Sequence, residues 1–384
     1  MISYGKQHID SSDIKAVTKV LKSDFITQGD NVKKFENILS KTFGSKYSCV
    51  VSSGTAALHL LGLALNWKKG EVILTTPISF LATSNSILYT GATPVFIDIN
   101  EDDYNIDINL LLKKIIYLKK AKKKISAIIC TDFAGHPCDW KQLRKIASKY
   151  KITLINDCCH AFGASIKNNK KYAIKYADFV TLSFHAVKHI TTGEGGAILS
   201  NNKKIIDEIN VLKTHGVIRK KKQKKFWEYQ MVKLGYNYRI TDFQCALGIS
   251  QIKKLGKYVK RRKEIADLYN KSFAKISNII IPKVKKTIGH AYHLYPLKIN
   301  FKKFGILKEK FFNQLRKKNI NLQVHYMPIY NQPFYKKKFN FNKKNFLVAE
   351  NFYEQEASLP IYYSLKKSEQ LKVIISIKKI LKVK

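Results

Sequence analysis

Four segments of this chain concentrate side chains able to hold an anion or to form and break covalent bonds. The first is Ser52-Ser53-Gly54-Thr55, between an apolar run ending at Val51 and a helical pattern over Ala56–Leu65. Small residues there leave backbone N–H groups accessible at a helix N-terminus, which suits a phosphate. The same residues serve an ordinary N-cap, with Ser53 or Thr55 capping. The second is Asp157, which ends the run Ile152–Asn156 and precedes Cys158-Cys159-His160. A carboxylate in that place caps a helix, ligates a metal, or pairs with a cationic ring nitrogen. The third runs from Ser183 to Gly196 and carries one lysine, Lys188, between His185 and His189 and before a turn holding Thr191, Thr192 and Glu194. A desolvated lysine amine forms a Schiff base with an aldehyde; a solvated surface lysine does not. The fourth, Gly235-Tyr236-Asn237-Tyr238-Arg239, reads as a structured loop with two polar groups before a helix beginning near Thr241.

Elements of one kind are needed to bring such segments together. Seven short runs, Tyr47–Val51, Glu71–Thr75, Pro94–Ile99, Ala127–Thr131, Ile152–Asn156, Asp178–Phe184 and Ala197–Ser200, are apolar on both faces and rich in β-branched residues. Such runs are strands buried between helices. Helical patterns lie between them, as in Trp140–Tyr150, where Leu143, Ile146, Ala147 and Tyr150 share a face. The alternation predicts an α/β layer with a mainly parallel seven-stranded sheet, whose ligands bind at the strands' carboxyl ends. The pattern changes near residue 250. A basic helical stretch, Gln251–Ser272, leads to a strand (Tyr295–Asn300), a helix (Leu307–Lys318), a strand (Asn321–Tyr326) and further helical patterns. The reading is a large α/β domain over 1–250 and a smaller α+β domain over 251–384. The last helical pattern, Leu371–Val383, closes that domain or lies on a membrane surface.

The chain has 384 residues, of which 45% are hydrophobic, enough for sizeable cores and too many for a disordered protein. No run approaches the roughly 20 apolar residues of a bilayer span, and no secretory signal is read at the N-terminus. Lys and Arg number 70 against 27 Asp and Glu, for a net charge of +43. Only six of the 70 are Arg, whereas nucleic-acid readers lean on Arg for bidentate contacts. Lysines are spread over nearly every polar face, with Arg219–Lys225 the sharpest block, read as an exposed loop. A nucleic-acid partner is therefore not expected, although the field would attract anionic small molecules. The six cysteines form no C-x-x-C pair and are read as reduced thiols of a cytoplasmic protein, neither a disulfide frame nor a zinc site.

Phosphate donors, an acid at a strand end and a lysine further on together match what pyridoxal 5′-phosphate (PLP) requires. In order and spacing, SSGTAAL, DCCHAFGA, SFHAVKHITTGEGG and GYNYR resemble the DegT/DnrJ/EryC1/StrS family of sugar aminotransferases over nearly the whole chain. The resemblance implies a PLP-dependent aminotransferase of fold type I. It implies Lys188 as the Schiff-base lysine and Asp157 as the partner of the ring nitrogen. It places His160 beside the ring, Phe80 stacked on it, and Gly54, Thr55 and Ser183 around the phosphate. Asn237 would reach the phosphate of a neighbouring subunit, so that a homodimer shares its active sites. For the substrate it points to Tyr4, Phe25, Ile26 and Thr27, to Gln323, Val324, His325 and Tyr326, and to one of His185 and His189, with His185 preferred. Glu194 is read as structural in its glycine turn. Cys158 and Cys159 replace the smaller residues usual after the acid.

YGKQHID, ITQG, HLYP, QVHYMPIY and EASLP narrow the resemblance further. They are similar to members that move the amine of L-glutamate to C4 of a UDP-linked 4-keto-6-deoxy-N-acetylhexosamine, UDP-2-acetamido-2,6-dideoxy-β-L-arabino-hex-4-ulose, in pseudaminic acid biosynthesis. Another UDP- or dTDP-linked keto sugar is the alternative. Related sugar dehydratases carry His where the aminotransferases carry Lys, so Lys188 argues against dehydration. A regulatory PLP binder would need a DNA-binding domain, for which no residues remain.

Overall fold

The structure is a computed structural model that describes residues 1–219, 225 and 227–383. All seven expected runs pair into one sheet, as β1 (Tyr47–Val51), β2 (Glu71–Thr75), β3 (Thr93–Phe96), β4 (Lys124–Thr131), β5 (Thr153–Asp157), β6 (Phe179–Ser183) and β7 (Gly196–Ser200). Their spatial order is β1-β7-β6-β5-β4-β2-β3. The pairs β2–β3, β2–β4, β4–β5 and β5–β6 are parallel. Only β7 runs against its neighbours β1 and β6. The strands are apolar throughout because both faces are covered. Leu74, Ile128, Leu154 and Leu199 enter the core on one side. Their chain neighbours Ile73, Ala127, Ile129, Ile155 and Ile198 enter the core on the other. The helix Trp140–Tyr150 forms as expected, with Leu143, Ile146 and Ala147 buried.

A second, smaller sheet has the order β8 (Ile279–Ile280), β9 (Tyr295–Ile299), β10 (Glu356–Leu359), all antiparallel. Its core takes Ile265, Tyr269 and Phe273 from the helix Leu255–Phe273, and Val373, Ile377 and Leu381 from the helix Lys367–Leu381. The last helix thus closes this unit with its apolar face. A fourth cluster joins the two units, packing Ile78, Phe96 and Phe133 against Leu294, Tyr330, Phe346 and Phe352. No helix among the described residues is long and apolar enough to cross a membrane.

Two expected elements differ. Asn321–Tyr326 is not a strand. Gln323 makes a single bridge to Ser358, and the chain then turns through a cis peptide between His325 and Tyr326. The helix Asp242–Ile252, expected to begin near Thr241, is followed after a break by the helix Leu255–Phe273, where the basic stretch was expected to begin at Gln251. The first begins at a capping box in which Thr241 and Gln244 satisfy each other's backbone N–H. The two meet at Lys254, whose ammonium is anchored by Asp10 (2.6 Å) and Asp13 (2.8 Å) from the N-terminal segment. Of the block Arg219–Lys225, residues 220–224 lie outside the described residues.

Candidate active site

The carboxyl ends of β1, β5 and β6 open on one cavity of about 660 Å³. At its edge the chain leaves β1 and enters the helix Gly54–Ala64. Ser53 is the N-cap, and its hydroxyl accepts the N–H of Ala56 at 3.0 Å. Helix geometry leaves the N–H groups of Gly54 and Thr55 without an intrahelical acceptor. Glycine is needed at two points of this turn. A Cβ on Gly54 would stand 2.9 Å from the Cβ of Ser183, and one on Gly196 would stand 2.4 Å from the carbonyl oxygen of Ser53. The result is a cradle of N–H groups with the Ser183 hydroxyl beside it.

Asp157 ends β5 at the cavity floor and is nearly fully buried. Thr83 donates its hydroxyl to Asp157 Oδ2 at 2.7 Å, and Thr131 does so at 3.5 Å. Cys159 N–H reaches Oδ1 at 3.4 Å.

Lys188 is half-buried on the cavity wall, with Nζ 3.4 Å from Nε2 of His293. Burial pushes its pKa down; the carboxylate of Asp157 opposes this and the guanidinium of Arg262 adds to it. Arg262 is itself buried and donates to the carbonyls of Tyr292 (3.1 Å), His293 (3.1 Å) and Ile361 (2.8 Å). Burial pushes its guanidinium down to about 10. Arg262 thereby fixes the segment of the smaller unit that presents His293 to the lysine.

The ring of His160 lies 4.4 Å from that of His293, tilted by 41°, and its Nε2 lies 3.2 Å from the hydroxyl of Tyr326. Its Nδ1 is buried without a hydrogen-bond partner among the described residues. Burial, with the charge of Lys188 next, holds its pKa well below the usual range, so the ring is neutral. Burial likewise holds His293 well below it.

Of the residues expected from the sequence, the cavity brings together Gly54, Thr55, Phe80, Asp157, His160, Ser183 and Lys188. Tyr4, His185, Gln323, Val324, His325 and Tyr326 line it as well. Phe80 is 57% exposed, its ring 6.1 Å from that of Tyr326. His185 lines the cavity beside Glu194, whose carboxylate lies 3.8 Å from its Nε2. His189 instead turns inward, with Nε2 3.0 Å from the carbonyl of Ala291. Cys158 is buried behind the acid, while Cys159 lines the cavity.

Four expected residues do not line this cavity. Asn237 is exposed, on a segment bridged to Thr214. Phe25, Ile26 and Thr27 are exposed, Phe25 lining a separate depression beside Asp242. Sequence reasoning assigned no role to Thr83, Thr131 or His293. Thr83 follows Phe80 by one helical turn and His293 opens HLYP, but neither has a local signal that points to Asp157 or Lys188.

An amine of lowered pKa, a buried carboxylate and an N–H cradle on one cavity are the groups that PLP needs. A model of the DegT/DnrJ/EryC1/StrS aminotransferase family matches residues 7–378. The chain belongs to this family. Like the family, it is a PLP-dependent transaminase. It is 42% identical over 365 residues to the UDP-4-amino-4,6-dideoxy-N-acetyl-β-L-altrosamine transaminase of Campylobacter jejuni, covering 95% of this chain and 93% of that one. The fold superposes on PseC of Helicobacter pylori, an aminotransferase involved in the biosynthesis of pseudaminic acid, with a TM-score of 0.90 and 33% identity over 99% of each chain. It superposes on the PMP form of the putative sugar aminotransferase Spr1654 of Streptococcus pneumoniae with a TM-score of 0.91 and 28% identity, over 100% and 99% of the two chains.

The residues fit that cofactor. Gly54 and Gly196 keep the cradle clear of side chains, and the unpartnered Nδ1 of His160 lies buried beside the lysine.

Proposed function

We propose that this aminotransferase carries the amino group of L-glutamate to C4 of UDP-2-acetamido-2,6-dideoxy-β-L-arabino-hex-4-ulose, in pseudaminic acid biosynthesis. The observation that carries the choice of sugar is the 42% identity to the Campylobacter jejuni transaminase over 95% of the chain. Rival sugars have weaker support: the GDP-perosamine synthase of Escherichia coli is 30% identical over 362 residues. The test is a panel of UDP-, dTDP- and GDP-linked keto sugars offered to enzyme first aminated by glutamate. The UDP-linked 4-keto sugar should be consumed with the highest kcat/KM. A preference for a dTDP- or GDP-linked sugar would overturn the assignment.

When bound, PLP supplies an aldehyde that takes up the amine and a ring that takes up the electron pair of a carbanion. In this reading Gly54, Thr55 and Ser183 hold its phosphate, and Asp157, kept in place by Thr83, holds the proton on its ring nitrogen. His160 and Phe80 bound the ring. Lys188 would hold the aldehyde, and its amine would take a proton from Cα of glutamate and deliver one to C4 of the sugar. A lysine of lowered pKa is suited to both directions of that transfer. His185, Gln323, His325, Tyr326 and Tyr4 face the sugar and the amino donor. Asn237, with Phe25, Ile26 and Thr27, serves the cavity of a second copy, in a homodimer with shared sites. The large domain ends near residue 250, and the enzyme works in the cytoplasm.

A further inference from the structure

Behind His325 lies a carboxylate that the roles above leave unused. Glu356, in β10, is fully buried. Its Oε2 accepts the backbone N–H of His325 at 3.0 Å, and its Oε1 accepts the hydroxyl of Ser358 at 2.5 Å. The same hydroxyl oxygen lies 2.8 Å from Nδ1 of His325. A serine hydroxyl has one hydrogen to give. With Glu356 ionised, that hydrogen goes to Oε1, the stronger charge-assisted acceptor. The oxygen can then only accept from His325, whose proton must sit on Nδ1. Nε2, on the other side of the ring, is left as a bare acceptor where His325 lines the cavity between Tyr4 and Tyr326, with ring separations of 5.1 and 4.9 Å.

We infer that His325, Ser358 and Glu356 form a proton relay that takes up the ammonium proton of the amino donor. An amino acid arrives as an ammonium ion and must lose a proton before its nitrogen can attack. His325 accepts that proton at Nε2 and gives its Nδ1 proton to Ser358 Oγ, and Ser358 gives its own to Glu356 Oε1. One proton leaves the donor, one carboxylate becomes a carboxylic acid, and the imidazole changes tautomer without ending as a cation. No oxidant or reductant is involved. His325 is the catalytic residue of this step; Ser358 and Glu356 act through it as positioning residues. The inference rests on the cavity being the site of amino transfer.

The surroundings favour this route. Burial pushes Glu356 up to about 7, opposed by the Ser358 hydrogen bond and by the charge of Lys308, so the end of the relay exchanges protons near neutral pH. Burial, then the charge of Lys188, holds His325 down to about 3, which disfavours a stable imidazolium. The other titratable groups facing Glu356 are the ammonium of Lys298, paired directly opposite it in β9 and pushed down by burial, and the phenols of Tyr104 and Tyr326, both raised by burial and hence neutral. Lys308 is pushed down to about 8, also by burial.

The test reads the tautomer directly. The holoenzyme is labelled with ¹⁵N-histidine and the His325 signal is identified by its loss in His325→Gln. In the wild type at pH 8.5, Nε2 should be unprotonated; as pH falls through about 7 the proton should move to Nε2 without an imidazolium signal. In Glu356→Gln the amide oxygen replaces Oε2 at the His325 N–H and the amide NH₂ faces Ser358. The hydrogen bonds then run the other way, and Nε2 should carry the proton at every pH. Lys308→Met, outside the cavity, should raise the midpoint, because it removes a cation that favours the carboxylate. A wild-type Nε2–H at pH 8.5, a Glu356→Gln enzyme that titrates like the wild type, or a midpoint unmoved or lowered in Lys308→Met would each overturn the relay. In single turnovers with glutamate, Ser358→Ala should be slower by about 100-fold, the low end for general acid–base catalysis, with binding of glutamate nearly unchanged. A loss confined to glutamate binding would assign the trio to substrate docking instead. The tautomer measurement needs no substrate, so it tests the relay even if the sugar assignment is wrong.

Discussion

Asn237 offers the sharpest test of how the site is completed. It is exposed and does not line the cavity of its own chain. Yet its neighbour Tyr238 accepts the N–H of Ser52 at 2.9 Å, one residue before the N-cap of the cradle in the same chain. Service to its own subunit is therefore a real rival to service across a dimer. An amide hydrogen bond to a charged phosphate contributes about 1.5–3 kcal/mol, so Asn237→Ala should weaken PLP by about 10- to 150-fold. At PLP concentrations that leave this variant empty, both it and Lys188→Ala should be inactive alone. Mixed and allowed to exchange subunits, equal amounts give about half hybrids, each with one site that carries both lesions and one that carries neither; activity should return to about a quarter of wild type in a two-fold dimer. The assay is steady-state turnover at saturating glutamate, with exchange verified by native mass spectrometry on differently tagged chains. If hybrids form and activity stays at the parental level, each site contains one lesion and Asn237 acts within its own subunit.

Borohydride treatment of the holoenzyme should fix the cofactor to the peptide that contains Lys188, and Lys188→Ala should retain PLP noncovalently while losing about four powers of ten or more in turnover; a label on any other lysine overturns the assignment. Asp157→Asn keeps the shape and removes the charge, so turnover should fall by at least about 100-fold while PLP affinity changes by less; the reverse pattern, measured by absorbance titration and saturated kcat, would reduce Asp157 to a binding residue. Stability of the cofactor-free protein should fall as pH drops from about 7 to about 5, followed by urea midpoints. His325, held down to about 3, refuses below its ordinary value of 6.5 a proton that the unfolded chain binds, which removes up to about 1.4 kcal/mol per pH unit. His160, His189 and His293 act in the same direction. Glu356, raised from 4.5 to about 7, acts the opposite way over that range but is outnumbered. A midpoint that rises on acidification would mean these rings are not buried neutral.

The sheet was legible because its strands are short apolar runs whose alternate residues both needed cover, and the meeting of Lys188 and Asp157 at one cavity was legible because each stands at or just beyond the carboxyl end of such a strand. What escaped was set by contacts between distant parts of the chain. Asn321–Tyr326 carries a β-like pattern, but only Gln323 meets Ser358, and the chain turns away at His325. The break between the helices at Lys253–Lys254 has no proline or glycine to announce it; it is fixed by Asp10 and Asp13. The start of the first of these helices, by contrast, was expected near Thr241, where the sequence offers Thr241 and Gln244 as a capping box. Thr83 and His293 face Asp157 and Lys188 across 74 and 105 positions of chain, a distance over which spacing says nothing.

The charge of the chain and the charge of its cavity point in different directions, and the difference bears on selectivity. A net +43 is carried on solvated faces, where it draws anionic substrates toward the molecule but is screened by salt. Inside the cavity the buried cationic candidates are suppressed: His160, His293 and His325 are held neutral by burial, and the pKa of Lys188 is lowered. The anion cradle at Gly54 and Thr55 consists of backbone N–H groups rather than side-chain cations. A site built this way recognises its ligands by the direction of hydrogen bonds, which a competing anion of similar charge does not reproduce. Among the described residues it also keeps Lys188 free of a counter-ion within hydrogen-bond reach: Nζ has neutral His293 at 3.4 Å, while Asp157 is engaged by Thr83 at 2.7 Å. An amine tied to a carboxylate would be held protonated; an amine beside a neutral imidazole can give up its proton and take it back.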